Sequence, residues 1–277
     1  MSLDISLFSS LPDRDLRREG FIVGEGRLLA QRLAARCKLL GVLAEQSAAE
    51  EAEKLASGTC PVQVLPAVEI EKLVGYAFHR GILVLAERPA IPAFYTSFNS
   101  EVSDRDAPLG SYRRLVILPK ITDPENLGTI IRSAASLGWD ALVLGSSSCD
   151  PYGRRALRCS MGASLVLPLF LADSAQELTL LRGQSSDNSW TIVAAELEPG
   201  AQGPKSLGSI EKLALLLGNE REGLSADWRQ HCDFTVAIPQ ESLSGVDSLN
   251  VAAAAAILLW EGHLVKQTQL QRQVLQK

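Results

Sequence analysis

The stretch from Lys212 to Trp260 constrains the fold of this chain more than any other. It contains two short apolar runs, Leu213–Leu217 and Phe234–Ile238, whose length and composition predict buried strands of a parallel sheet. Each run leads directly into a polar loop that packing alone does not require. Because open α/β sheets bind ligands at the carboxyl ends of their strands, we expect the chemistry of the protein in these two loops.

The two loops differ in composition. The first places the carboxylate of Glu220 between glycines, in the order Gly218, Asn219, Glu220 and, after two further residues, Gly223. The second leaves the sheet after Ile238 and returns to regular structure at Ser248, Leu249 and Asn250.

A helix is predicted after the second loop. Ser248 is a good N-cap, and the alanine run from Ala252 to Ala256 has high helix propensity. Ile257, Leu258 and Trp260 continue an apolar face of the same helix. The alanines favour close packing against a neighbouring element. Asn250 lies near the helix start, where an amide is either a local hydrogen-bonding residue or part of a site.

Charge and cysteine content exclude several classes of protein. The 277 residues allow one large or two ordinary domains, and the net charge of −5 argues against indiscriminate nucleic-acid binding. Local clusters of arginine, such as Arg113 with Arg114 and Arg154 with Arg155 and Arg158, leave room for a basic groove.

Five cysteines without a C-x-x-C pair support neither a disulfide framework nor a zinc site. No apolar run is long enough to span a bilayer and no signal peptide is evident, so we expect a cytoplasmic protein.

Residues 1–92 are predicted to form an α/β domain of their own. Strand-like runs alternate with segments of helical periodicity, and this alternation predicts a layered domain. The strands are expected at Phe21–Gly24, Lys38–Glu45, Pro61–Pro66 and Gly81–Glu87. Residues 93–111 mix prolines, serines and charges, as interdomain linkers do, although an edge strand at Ala93–Ser97 is an alternative.

Residues 112–277 begin with a predicted βαβ unit. Its strands are Leu115–Leu118 and Ala141–Leu144, and its helix is capped by Asp123 or Asn126 and ends at Gly138. Asn126, Gly128 and Arg132 lie at helical spacings, and Arg132 is either salt-bridged or functional. Further runs continue the alternation and predict a mostly parallel sheet: a strand at Leu165–Leu171, a helix at Ser174–Arg182 and a strand at Thr191–Glu196.

Three groups of these residues, in this order and spacing, resemble the ordered motifs of the SpoU (TrmH) family of RNA 2′-O-ribose methyltransferases. The groups are Asn126-Leu127-Gly128 with Arg132 and Gly138, Leu217-Gly218-Asn219-Glu220 with Gly223-Leu224, and Ile238-Pro239 with Ser248-Leu249-Asn250-Val251. The first domain resembles the substrate-binding extension of ribosomal-protein L30e type found in that family. The resemblance implies a trefoil knot in the catalytic domain, S-adenosylmethionine as cofactor, ribosomal or transfer RNA as substrate, and a homodimer.

The resemblance also assigns roles to individual residues. The cofactor would be bound by Gly218, Asn219, Ile238 and Leu249, and the catalytic set would be Arg132, Asn126, Glu220, Ser248 and Asn250. Arginine normally stays protonated, so two readings of Arg132 are open: it takes the 2′-hydroxyl proton with help from an RNA phosphate, or it holds that phosphate while Glu220 or a water accepts the proton. Gln240, a longer loop before Ser248, and Ala252 depart from the family pattern.

Two other functions are weighed against this one. A catalytically silent RNA-binding protein of the same fold is disfavoured because Arg132, Glu220 and Asn250 are all present. A nucleotide-binding oxidoreductase is disfavoured because no complete G-x-G-x-x-G follows a strand. Binding of S-adenosylmethionine separates both from the favoured reading.

Overall fold

A computed structural model describes residues 3–9, 13–79, 81–99, 112–182, 189–219, 221–241 and 248–275. Two compact units divide the chain, the first formed by Met1–Ala90 with Asp150–Leu165 and the second by Ile91–Cys149 with Val166–Lys277. The segment Asp150–Leu165 therefore belongs with the first unit, whereas the sequence placed it inside the second domain. Along the described parts of the chain, no helix combines the length and apolar character that a bilayer crossing requires.

The first unit is built on a four-stranded mixed sheet. Its strands are β1 (Phe21–Glu25), β2 (Leu39–Glu45), β3 (Val62–Leu65) and β4 (Ile82–Glu87), in the spatial order β1-β4-β2-β3. β4 runs antiparallel to β1 and β2, and β3 runs parallel to β2. Its helices are α1 (Asp13–Arg18), α2 (Arg27–Arg36), α3 (Ala49–Ala56) and α4 (Ala67–Val74). All four strands lie where the apolar runs predicted them.

The second unit contains a six-stranded sheet in which every neighbouring pair is parallel. Its strands are β5 (Arg114–Leu118), β6 (Ala141–Gly145), β7 (Leu169–Ala172), β8 (Thr191–Ala195), β9 (Leu213–Leu217) and β10 (Phe234–Val236), in the spatial order β10-β8-β9-β5-β6-β7. Every residue of β5, β6 and β9 is buried, as expected for parallel strands covered on both faces. The predicted mostly parallel α/β sheet is confirmed.

The helices of the second unit are α5 (Phe94–Asn99), α6 (Pro124–Ser136), α8 (Ala226–Arg229) and α9 (Val251–Leu275), while the intervening α7 (Arg154–Cys159) belongs to the first unit. Asp123 caps α6, since its Oδ1 accepts hydrogen bonds from the backbone N of Glu125 at 2.7 Å and of Asn126 at 3.0 Å. Of the two caps that the sequence allowed, Asp123 is the one used.

Several predicted elements differ from the structure. Residues 94–99 form α5 rather than linker or edge strand, because the buried Phe94 packs on Phe170 with ring centroids 6.2 Å apart. The strand predicted from Leu165 begins at Leu169, after a 3-10 turn at Ala163–Leu165 and after Pro168, whose missing N–H suits a position outside the ladder. The segment Ala175–Arg182 is a 3-10 helix, and β10 ends at Val236.

Helix α9 begins later than predicted. Its first residue is Val251, and the Oδ1 of Asn250 accepts hydrogen bonds from the backbone N of Ala252 at 2.8 Å and of Ala253 at 3.3 Å. Asn250, rather than Ser248, is therefore the capping residue. Asparagine caps helices as well as serine does, so composition alone did not distinguish the two.

Arg114 is a buried structural residue, not part of a basic surface as the sequence suggested. It is 2% exposed, and its guanidinium donates to the carbonyl oxygens of Gly262 at 3.1 Å, Ile210 at 2.9 Å and Glu211 at 2.6 Å. Burial lowers the pKa of this group. Trp139 adds a bond from its Nε1 to the carbonyl of Leu259 at 3.0 Å, so that two side chains attach α9 to the sheet.

Replacing Arg114 tests this attachment. We expect Arg114→Ala to lower the free energy of unfolding by about 3 kcal/mol, because buried carbonyls lose their donors. Arg113→Ala is the matched control, since Arg113 forms a partly exposed ion pair with Glu211 whose loss costs about 0.5 kcal/mol. All four tryptophans lie in the second unit, so their fluorescence during urea unfolding reports on that unit. Equal losses in the two variants would contradict the structural role.

The cap of α9 is tested by a second pair of variants. Asn250→Ala removes both capping bonds and is expected to cost about 1 kcal/mol of stability. Asn250→Ser retains an oxygen able to cap and is expected to stay near the wild-type value. Urea unfolding followed by tryptophan fluorescence measures both, and an Asn250→Ala variant as stable as Asn250→Ser would show that the cap is unimportant.

Candidate functional site

A cavity of about 400 Å³ lies at the carboxyl ends of β8, β9 and β10 in the second unit. Buried apolar side chains, among them Leu217, Val236 and Leu258, form part of its wall. This is the edge of a parallel sheet at which ligand sites are expected.

The loop after β9 brings Gly218 and Asn219 to the cavity. Asn219 and Gly223 exchange backbone hydrogen bonds, both 3.0 Å long, so the loop folds back tightly on itself. A Cβ atom on Gly218 would lie 2.5 Å from the carbonyl carbon of Gly223 and 2.8 Å from the backbone N of Leu224. Only glycine fits at this position without movement of backbone. Glu220, predicted to be catalytic, lies outside the described residues.

The second loop contributes Ile238, Ser248 and Leu249 to the same cavity. Leu249 lines the cavity with a side chain that is 41% exposed. Gln240, where the chain departs from the family pattern, also lines the cavity. The four residues predicted to bind the cofactor and Ser248 therefore converge on one cavity.

Asn126 and Asn250 form a separate pair. The Nδ2 of Asn250 donates to the Oδ1 of Asn126 at 3.0 Å, which joins the first turn of α6 to the start of α9. Neither asparagine lines the cavity. Asn250 thus makes a local and a long-range contact; that it belongs to the functional site stays a prediction.

Arg132 lies on α6 with an exposed side chain and does not line the cavity. Among the described residues, no hydrogen bond or ion pair engages its guanidinium. The hypothesis that Arg132 forms a salt bridge therefore has no support among the described residues. Its planar fork of donors is available to a phosphate or another oxyanion.

Sequence reasoning missed an ion pair in the cavity wall. Glu196 follows β8, and its Oε1 accepts from Nη2 of Arg229 at 2.8 Å and from the backbone N of Leu224 at 3.3 Å. The Oε2 atom is buried and lies 2.7 Å from Nε of Arg229, so both carboxylate oxygens contact the guanidinium. The hydrogen bond that Arg229 donates to Glu196 raises the pKa of Arg229. The available signal was a carboxylate at the carboxyl end of the predicted strand Thr191–Glu196.

The charge and chemistry of the cavity narrow what it binds. Among the described residues that line it, the ionisable ones are Glu196, Glu198 and Arg229, which leaves one negative charge in excess. Within the described ranges, no cluster of three or more His, Cys, Asp or Glu side chains is arranged to hold a metal. Burial raises the pKa of the nearby Cys232 to about 12, so its thiol stays protonated and is a poor nucleophile. The site suits a small ligand with net positive charge.

Comparison with known proteins places this geometry in a family. Residues 113–260 match the model of the SpoU rRNA Methylase family. An uncharacterized tRNA/rRNA methyltransferase of Mycobacterium bovis is 32% identical over 264 residues, covering 93% of this chain and 85% of its own. The 23S rRNA (uridine(2479)-2′-O)-methyltransferase of Streptomyces viridochromogenes is 33% identical over 147 residues, or 53% of this chain and half of that protein.

Solved structures agree in fold. An AdoMet-bound rRNA methyltransferase from Sinorhizobium meliloti aligns with a TM-score of 0.74 at 22% identity, covering 94% of this chain and 92% of its own. The SpoU methyltransferase AviRb from Streptomyces viridochromogenes, in complex with AdoMet, aligns with a TM-score of 0.76 at 21% identity, covering 95% and 98%. Together with the family-model match across the whole second sheet, these similarities show that the chain belongs to the SpoU rRNA methylase family.

Proposed function

We propose that this protein transfers the methyl group of S-adenosylmethionine to a ribose 2′-hydroxyl of a structured ribosomal or transfer RNA. The observation that carries the proposal is the convergence of Gly218, Asn219, Ile238 and Leu249, from two separate loops, on one cavity. The 2′-O-methyltransferase name of the Streptomyces relative supports the choice of acceptor oxygen.

The residues of the cavity fit S-adenosylmethionine. A volume of about 400 Å³ lies within the range of small-molecule sites. Glu196 lines the cavity, and a carboxylate accepts hydrogen bonds from the hydroxyl donors of a ribose. The excess negative charge of Glu196 and Glu198 over Arg229 matches the net positive charge of a sulfonium amino acid.

When bound, the cofactor supplies an electrophilic methyl group on a positively charged sulfur. The protein has to hold the RNA oxygen in line with that group and to manage the hydroxyl proton. The exposed guanidinium of Arg132 holds an RNA phosphate and stabilises the charge that develops on the ribose oxygen. Glu220 or a water accepts the proton.

Asn126 and Asn250 position these parts relative to one another. Their hydrogen bond of 3.0 Å joins α6, which carries Arg132, to the end of the loop that carries Ser248 and Leu249. Without this bond, α6 with Arg132 would no longer be held to the loop that ends with Ser248 and Leu249. We therefore assign the asparagine pair a positioning role.

A homodimer is part of the proposal. Arg132 does not line the cavity of its own chain, so a second copy that brings RNA or side chains to the cavity would complete the site. Ile257 and Trp260 on α9 are 40% and 48% exposed, and large apolar side chains exposed on one helix are typical of a protein interface. The trefoil knot and the L30e-type character of the first unit are inferred from the family resemblance alone.

Gly218→Ala tests the cofactor cavity. The added methyl group would meet the backbone of Gly223 and Leu224, so the loop must shift and the affinity for S-adenosylmethionine is expected to fall by about tenfold or more. Gly203→Ala is the matched control, because its added Cβ meets no atom within 4 Å and its φ of −73° suits alanine. Calorimetric titration with S-adenosylmethionine measures both. Equal affinities in the two variants would place the cofactor elsewhere.

Arg132→Ala tests the assignment of Arg132. We expect methyl transfer to unmodified total RNA to fall by about 100-fold or more, because charge stabilisation is lost, while cofactor affinity stays within about twofold. Arg113→Ala, an arginine of the same unit outside the cavity, is the control, and tritium transfer with parallel calorimetry gives both readouts. Strong methylation by Arg132→Ala would exclude both roles considered for this residue. A wild-type protein that binds RNA but not S-adenosylmethionine would instead be a silent RNA-binding protein.

A further inference from the structure

A second cavity, of about 410 Å³, lies within the first unit. Its floor is apolar and includes Val23, Leu29 and Leu83. The polar residues that line it in the described part of the chain are three arginines, two carboxylates and one tyrosine: Arg154, Arg155, Arg158, Asp13, Glu25 and Tyr76. The arginines all lie on α7, the helix that joins the first unit from later in the chain.

The arginines leave this cavity with an excess of one positive charge over Asp13 and Glu25. Asp13 is engaged by Arg154, since its Oδ2 accepts from the backbone N of Arg154 at 3.1 Å and its Oδ1 lies 3.8 Å from Nε. That Nε is buried and has no hydrogen-bond acceptor. Arg158 is exposed, and within the described chain no carboxylate pairs with it. Nη2 of Arg154 donates to the carbonyl oxygen of Ser9 at 2.8 Å, so the donors for an added anion are Nη1 of Arg154 and the guanidinium of Arg158.

Tyr76 gives the cavity an aromatic surface. It follows the end of α4, is 41% exposed, and its hydroxyl donates to Oε2 of Glu25 at 3.1 Å. Burial and the neighbouring carboxylate of Glu25 raise the pKa of the phenol to about 12, so the ring is neutral and held by its hydroxyl at physiological pH. A neutral ring fixed beside arginines is a surface on which a base stacks.

We propose that this cavity binds one unpaired nucleotide of the substrate RNA, with the base on Tyr76 and its phosphate on Arg154 and Arg158. The proposal rests on the RNA substrate of the proposed function and adds a binding subsite distinct from the cofactor cavity. Proteins recognise single-stranded RNA by stacking splayed bases on aromatic rings and arginine planes and by binding their edges with hydrogen bonds. Glu25 supplies an acceptor beside the ring, and an acidic peptide would make no use of the ring.

The test uses the full chain and a fluorescein-labelled single-stranded RNA hexamer of mixed sequence, without S-adenosylmethionine. Binding is followed by fluorescence anisotropy at several salt concentrations. The variants are Arg158→Ala, Tyr76→Ala and Tyr76→Phe, and the control is Arg36→Ala, another exposed arginine of the first unit that does not line the cavity. Circular dichroism melting shows that each variant is folded.

The expected results separate the two contacts. Arg158→Ala should reduce the slope of log K against log salt by about 0.7, the value for one phosphate contact to a single strand. Tyr76→Ala should weaken binding by about fivefold or more, while Tyr76→Phe, which retains the ring, should stay within about twofold of the wild type. Arg36→Ala should change neither quantity.

Several results would overturn the subsite. One is that Arg158→Ala and Tyr76→Ala bind the hexamer as Arg36→Ala does. Another is that inorganic phosphate or a glutamate peptide displaces the hexamer as well as nucleoside monophosphates do, since the cavity would then not recognise a base. Displacement by free monophosphates at the concentration of the hexamer would identify a free nucleotide, not RNA, as the ligand. Because no methyl transfer is measured here, failure of the proposed function leaves these readings unchanged.

Discussion

The second unit depends on the bonds that Arg114 makes to backbone carbonyls. One guanidinium joins β5, the segment before β9 and Gly262 on α9, and a buried charge with full hydrogen bonding fixes geometry more strictly than apolar contact does. The position of α9 then fixes the site, because Leu249, at its start, and Leu258, within it, line the cofactor cavity. The contact of Asn250 with Asn126 extends the same constraint to α6.

The cofactor cavity is formed by backbone as much as by side chains. The loop after β9 doubles back so closely that Gly218 leaves no room for a Cβ, and such loops present carbonyl and amide groups at short range. Strands that are buried over their whole length hold this loop rigidly, as in β9. A site on rigid strand ends keeps a ligand within the narrow range of positions that transfer of a group to a ribose oxygen requires.

The sequence predicted what is local and missed what joins distant residues. Apolar runs predicted β5, β6 and β9 correctly, because strands buried on both faces are apolar almost throughout and do not alternate between apolar and polar residues. The motif residues Gly218, Ile238 and Leu249 met in one cavity as the family resemblance implied. By contrast, Arg114 was assigned to a basic surface, and the pair of Glu196 with Arg229 was missed, since neither periodicity nor spacing encodes a contact across the fold. The cap of α9 is a local feature that composition did not decide, because asparagine and serine cap helices equally well.

The two cavities show how an acidic chain can serve a polyanionic substrate. With a net charge of −5 the protein as a whole does not attract RNA, so binding has to arise from local excess charge. Both cavities are lined by arginines and carboxylates, but their net charges have opposite sign. Glu196 and Glu198 outnumber Arg229 in the second unit, whereas the arginines of α7 outnumber Asp13 and Glu25 in the first. On the proposed assignment, a cationic cofactor and an anionic nucleotide are therefore drawn to different cavities. The excess negative charge in the cavity of the second unit also disfavours an RNA phosphate there, so that phosphate does not compete with the methyl donor.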